Sequence, residues 1–204
     1  MEILLENDIM VDRNILQDID WDNLDFSLHP TRSMYIAKCE EGGEWQTGEL
    51  VPYGDIKISP AAGVLNYGQG VFEGIKAFRS LRDRIIFFRL DKNAIRFYRS
   101  CKRLCIPPIQ VEVFMEAIEE VVKDNIDYVP PVGKGSLYIR PVAWGTGPVL
   151  GVNPAPSYTF LIFVSPVGSY FKDGLRPLTL RVTNNFHRAA PKGIGNAKAI
   201  GNYS

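Results

Sequence analysis

The chain lacks any excess of charge: across 204 residues, 23 Lys and Arg stand against 23 Asp and Glu. Without a basic surplus there is no electrostatic footprint for nucleic acid or an anionic membrane surface. The chain also lacks an apolar run near the roughly 18–20 residues that a membrane helix needs. Its longest candidate, "YTFLIFVSPVG", is strand-sized and broken by Ser165–Pro166. Cysteine is scarce. Cys39, Cys101 and Cys105 are odd in number and contain no CxxC, which argues against a disulfide framework or a zinc site. Cys101 and Cys105 share a helical face, where two buried apolar thiols are expected. The start, "MEILLENDIMVDRNILQDIDWDNLDF", has neither the basic and apolar regions of a secretion signal nor the Arg- and Ser-rich, acid-poor character of a transit peptide. Cytoplasmic residence is the resulting expectation, with a plastid open if residues precede Met1. "NYS" at the end matches a glycosylation acceptor and is read as chance. No internal repeat or low-complexity tract is found.

What is present is ordinary for a globular protein, with 46% hydrophobic and 23% charged residues. The first ~30 residues read as a peripheral extension. "SMYIAKCE" reads as a strand and "EGGEW" as the turn returning it to "TGELVPYGDIKIS". In "VLNYGQGVFEGIKAFRS", Gly68, Gly70 and Gly74 precede a β-friendly run, so a tight approach and then a strand are expected. "RIIFFRL" is another strand. A helix follows, with Asp91 as a plausible cap and Ala94, Ile95, Tyr98, Cys101 and Cys105 as its apolar stripe. A second helix through "VEVFMEAIEEVVKDNI" turns Phe114, Ile118, Val121 and Val122 inward. After the loop "VPPVGKG" come the β-rich runs "SLYIRPVAWG" and "YTFLIFVSPVG", the second too continuously apolar for a wet face. Strands, two helices and more strands imply an α/β or α+β domain. The expected boundaries are an extension over 1–30, a small domain over 31–170, a linker over 171–177 and the start of a second domain over 178–204.

Lys198, in "GIGNAKAIGNYS", is the first residue that could carry chemistry. A lysine held deprotonated in a desolvated or cationic pocket can bond covalently to a carbonyl. The small residues around it allow a close approach to the main chain. Taken alone, a lysine in a Gly-rich loop is most often a solvated surface charge.

Together, "LNYGQGVFEGIKAFR", "GSLYIRPVAWGTGPVLGV", "SPVGSYF" and "HRAAPKGIGNAKAIGNYS" closely resemble the branched-chain aminotransferases, class IV enzymes that use pyridoxal 5′-phosphate (PLP). The resemblance runs in order from about Trp21 to Ser204, and "VPYGDI" and "PPVGKGSLYIRP" look most like plant members. It implies that Lys198 is the PLP lysine, that Arg96 binds the phosphate and that Tyr203 hydrogen-bonds the cofactor's phenolic oxygen. Tyr67, Phe72, Tyr138 and Arg140 would form the substrate side, an apolar pocket with hydrogen bonds for a carboxylate. Tyr170 would lie in a loop that closes over substrate. His29 and His187 match no catalytic position. The implied reaction is transamination of leucine, isoleucine or valine with 2-oxoglutarate, in a homodimer, with no metal.

Family chains continue well beyond the lysine, where they supply an acid for the pyridine nitrogen, further phosphate contacts and most of the larger domain. This chain is therefore expected to be truncated, folded in its N-terminal part and catalytically weak. "LTLRVT" would be the first strand of the second domain, an unpaired edge. Two alternatives stay open: a non-catalytic fragment that partners a full-length relative, and a class IV enzyme for a D-amino acid or aminodeoxychorismate. "FEGIKAF" and "SLYIRP" argue against the last.

Overall fold

The computed structural model describes residues 2–3, 19–40, 43–171 and 177–203. Among the described residues, eight antiparallel strands form one sheet: β1 (Glu2–Ile3), β2 (Ser33–Glu40), β3 (Glu49–Pro52), β4 (Gly70–Phe72), β5 (Ile75–Arg79), β6 (Ile85–Phe87), β7 (Ser136–Gly145) and β8 (Ser157–Val167). Their order is β1-β6-β5-β7-β8-β2-β3, with β4 also paired to β7. Three α-helices accompany it among the described residues: α1 (Gly63–Tyr67), α2 (Leu90–Arg103) and α3 (Val111–Asp124). The architecture is the expected mixture of α and β.

The centre is the long β7–β8 pair, in register from Ser136 opposite Val167 to Gly145 opposite Tyr158. Alternation sorts its side chains by face. Leu137, Ile139, Phe160, Ile162 and Val164 point to the helix layer and join one core with Phe97 of α2 and Phe114 of α3. The rings of Phe97, Phe114 and Phe160 lie 5.0–6.0 Å apart, centroid to centroid. The opposite face carries a smaller cluster, in which Phe72, Trp144 and Phe163 pack against Met34, Val142 and Leu161. Phe114, Ile118, Val121 and Val122 are buried as their spacing predicts.

Two expectations about α2 change. Asp91 is not the cap: Arg89 holds that position with φ 52°, and Asp91 lies in the first turn, where its charge favours the helix dipole. Cys105 is exposed while Cys101 is buried. The helix ends at Arg103, and Cys105 follows with φ 55°, so the i,i+4 relation no longer holds there. "TGELVPYGDIKIS" is strand only over Glu49–Pro52, and "RIIFFRL" only over Ile85–Phe87. Most of "MEILLENDIMVDRNILQDID", part of the "EGGEW" turn and residues 172–176 of the expected linker lie outside the described residues.

"LTLRVT" does not form a strand. Residues 178–183 are irregular, and Leu178, Leu180 and Val182 are 63%, 83% and 89% exposed. A strand needs a neighbour for its backbone groups, and no described segment pairs with this one.

Candidate active site

Phe72, Tyr138 and Arg140 lie on the sheet face away from the helices, and β4 joins them to the Lys198 segment and α2. Gly68 ends α1 with φ 65°, a left-handed conformation that glycine adopts at little cost. At Gly70 a Cβ would fall 2.9 Å from Ile200 Cδ1 and 3.0 Å from Trp144 Cδ1, so the 197–203 segment seats against bare backbone. Ala199 bridges Val71, and Phe72 N donates to the Lys198 carbonyl at 3.1 Å. From α2, Ser100 Oγ accepts the Lys198 N–H at 2.9 Å. Ala197 and Ala199 are buried, at 6% and 1% exposure. The small neighbours of Lys198 thus let the chain lie flat between β4 and α2. Asn202 closes the loop, donating to the Ile194 and Ala197 carbonyls at 3.0 Å each. That buried, committed amide agrees with reading "NYS" as a chance match.

The Lys198 side chain leaves this anchor. Its Nζ donates to Tyr203 Oη at 3.1 Å and lies 4.2 Å from the Phe72 ring centroid. The Phe72 and Tyr203 rings meet edge to face at 4.9 Å. Phe72 also links Lys198 to the expected substrate side, because Arg140 Cζ lies 4.9 Å from the Phe72 centroid. Arg140 Nη2 donates to Tyr138 Oη at 2.7 Å, and Arg140 Nε is buried with no hydrogen-bond partner among the described residues. A buried guanidinium N–H is costly unless satisfied, so an anionic group arriving there would be held. Gly74 keeps the space open, since a Cβ would sit 2.6 Å from Tyr138 Oη.

Tyr170 is exposed and reaches this cluster through Phe26, whose ring meets Tyr170 at 5.2 Å and Tyr138 at 5.4 Å. Tyr67 is committed elsewhere: it is 45% exposed, and its hydroxyl donates to the Leu150 carbonyl. Arg96 makes a two-pronged ion pair with Glu73, Nε to Oε1 at 2.5 Å and Nη2 to Oε2 at 2.7 Å. That hydrogen bond holds the Arg96 guanidinium above its ordinary value, against the opposing effect of burial, and the Tyr203 phenol oxygen adds to the rise. His29 is half-buried near Asp25, and His187 is exposed.

Sequence reasoning missed Glu73, Phe26 and Ser100. Glu73 had a signal, as the lone acid in the apolar stretch "YGQGVFEGIKAF"; Phe26 and Ser100 had none, because only packing brings them to the site.

A primary amine over the Phe72 ring, with the Arg140 guanidinium 4.9 Å from the same ring's centroid, is an arrangement that can receive an anionic carbonyl compound. Residues 70–201 match the family amino-transferase class IV. The chain belongs to that family. It is 56% identical over 93% of its length to the chloroplastic branched-chain-amino-acid aminotransferase 5 of Arabidopsis thaliana, covering 46% of that protein. Other relatives carry chloroplastic or mitochondrial in their names. Among solved structures, the Escherichia coli branched-chain amino acid aminotransferase aligns with TM-score 0.60 and 26% identity over 85% of this chain and 53% of that one. The branched-chain aminotransferase of the thermophilic archaeon Thermoproteus uzoniensis, solved with norvaline, aligns with TM-score 0.53 and 31% identity over 69% and 43%. The chain spans about half the length of the curated relatives it matches.

Proposed function

We propose that this chain carries the lysine-bearing and substrate-side parts of a PLP-dependent branched-chain aminotransferase, exchanging amino groups between leucine, isoleucine or valine and 2-oxoglutarate. The observation that carries the reading is Lys198 Nζ, 3.1 Å from Tyr203 Oη and over the Phe72 ring, at the end of a segment pinned by β4 and α2. The residues fit the cofactor: a primary amine for its aldehyde, an aromatic platform for its ring, and the free end of Arg96 for its phosphate.

When bound, PLP supplies an electron sink for the substrate's α-carbon. The chain's residues do the rest. Lys198 Nζ is the attachment point and the base that takes and returns the proton at the substrate α-carbon. Tyr203 Oη, as the Nζ hydrogen-bond partner, orients that amine. Arg140 and Tyr138 hold the substrate carboxylate, and Arg140 Nε gains the partner it lacks. Phe72 supplies apolar wall, with Phe26 and Tyr170 shielding the Tyr138 side from water. Tyr67 joins the substrate side once its bond to the Leu150 carbonyl is released. Such a wall separates leucine, isoleucine and valine poorly, because one methylene is worth only ~1–3 kcal/mol.

The test is borohydride trapping: incubate the chain with PLP, reduce, and map the pyridoxyl adduct by peptide mass spectrometry. An adduct concentrated on Lys198 is expected. One scattered over surface lysines would overturn the assignment.

The same reading assigns residues 31–170 to a small domain, with 1–30 as an extension, 171–177 as a linker and 178–204 as the start of a PLP-binding domain. Limited proteolysis should then cut first between 171 and 177. A homodimer is proposed as the assembly, checked by sedimentation. Cytoplasmic residence is proposed with the plastid as its alternative, and fractionation of cells expressing the chain would separate it from the chloroplast named for several relatives.

A further inference from the structure

Glu73 is fully buried, with 0% of its side chain exposed, which is costly for a carboxylate unless it is richly paired. Four donors satisfy it. Arg96 Nε reaches Oε1 at 2.5 Å, while Arg96 Nη2, Asn93 Nδ2 and the Gly74 N–H reach Oε2 at 2.7, 2.8 and 3.3 Å. Asn93 and Arg96 lie three residues apart on α2 and so share one face. The backbone places Glu73 for this role. Phe72 opposes Val142 and Ile75 opposes Ile139, so one register runs along β7 through both β4 and β5. The ladder breaks between them because Glu73 N donates to the Pro141 carbonyl at 2.8 Å and Pro141 has no N–H to give back.

A guanidinium has five N–H donors in a rigid fork. Glu73 occupies the Nε–Nη2 edge of Arg96, and the side chain remains 52% exposed, with no hydrogen-bond partner at the Nη1 end among the described residues. The face of α2 that carries Arg96 adjoins the Lys198 segment. Arg96 is one helical turn before Ser100, whose Oγ holds the Lys198 N–H.

We infer that Glu73 is a positioning residue, gripping one edge of Arg96 so that the other presents to a phosphate beside Lys198. The inference rests on the PLP reading above. Two effects of Glu73 oppose each other. Its charge repels a phosphate, whereas its grip removes the rotamer freedom that a long side chain would lose on binding. A phosphate bound at the Nη1 end would lie across the guanidinium from Glu73, so the grip outweighs the repulsion. Replacing Glu73 therefore weakens phosphate recognition, where pure charge neutralisation would strengthen it.

The experiment titrates the full chain spectrophotometrically with PLP and with pyridoxal, which lacks the phosphate; the ratio of the two affinities is the phosphate preference. Glu73→Gln is expected to lower that preference about tenfold, the scale of a lost charge-assisted hydrogen bond, with pyridoxal affinity unchanged. Arg96→Lys keeps the charge but not the fork; it should lower the preference too, and adding Glu73→Gln should cost nothing more. An unchanged or larger preference in Glu73→Gln overturns the inference, as does equal weakening for both ligands. If circular dichroism shows Glu73→Gln unfolded, Arg96→Lys decides, and a fully retained preference overturns the inference. A native chain that binds PLP no better than pyridoxal would instead bring down the PLP reading itself.

Discussion

At the scale of single residues, the site depends on a few side chains whose partners are fixed by distance. Tyr203 Oη is the hydrogen-bond partner of Lys198 Nζ, at 3.1 Å. Tyr203→Phe should slow pyridoxyl adduct formation at Lys198 about threefold to tenfold, the range of one hydrogen bond. An unchanged rate would make the hydroxyl a bystander. The cysteines give an independent check on the core. Burial pushes the Cys101 thiol up to about 12 and raises Cys39 as well, whereas Cys105 is exposed. Iodoacetamide at pH 8.5 should therefore label Cys105 in the folded chain, and Cys39 and Cys101 only after denaturation. The sign of the pH effect follows: from the ordinary 9.0 up to about 12, an unfolded chain loses the Cys101 proton that the folded chain keeps. Stability contributed by that thiol is present below this window and falls as pH rises through it.

At the scale of elements, the β4–β5 link has two duties. It satisfies the sheet through Glu73 N, and it leaves room for Tyr138 through Gly74. Gly74→Ala would place a methyl 2.6 Å from Tyr138 Oη, so the ring must move and its bond from Arg140 Nη2 must lengthen or break. We expect about tenfold weaker binding of a branched-chain 2-oxo acid, with PLP affinity unchanged, since one charge-assisted hydrogen bond is at stake. Isothermal titration checks it, and equal binding by the variant would show that Tyr138 is not part of the substrate side. Beyond Arg96, α2 serves the site indirectly. Phe97 and Ser100 sit on α2, one anchoring the helix in the core and the other holding the Lys198 backbone.

At the scale of the whole molecule, β1 and the described residues 19–40 and 43–171 form one sheet with a helix layer on one side, and the Lys198 segment docks on it through β4. The stretch between is different, with Leu178, Leu180, Val182 and Phe186 63–89% exposed. Alternating apolar residues left unpaired make an aggregation-prone segment. Leu180→Lys should reduce concentration-dependent light scattering without moving the urea midpoint, because Leu180 contributes little to the core. A lowered midpoint would mean that this segment packs in solution.

Periodicity alone determined the β2, β7 and β8 runs, the two long helices and the inward face of α3, because local spacing and burial agree there. Family resemblance in the sequence pointed to Lys198, Tyr203, Phe72, Tyr138 and Arg140, which the fold brings within reach of one another. Tertiary structure decided the rest. Cys105 left its expected face because a helix end is set by the chain that follows it, and Phe26 joined the site from a segment that reads as peripheral. The clearest case is Glu73. Its partners, Arg96 and Asn93, lie some twenty residues away on α2, and its place at the strand break is set by Pro141, far along the chain on β7. Spacing along a sequence carries no record of contacts between elements that only packing brings together.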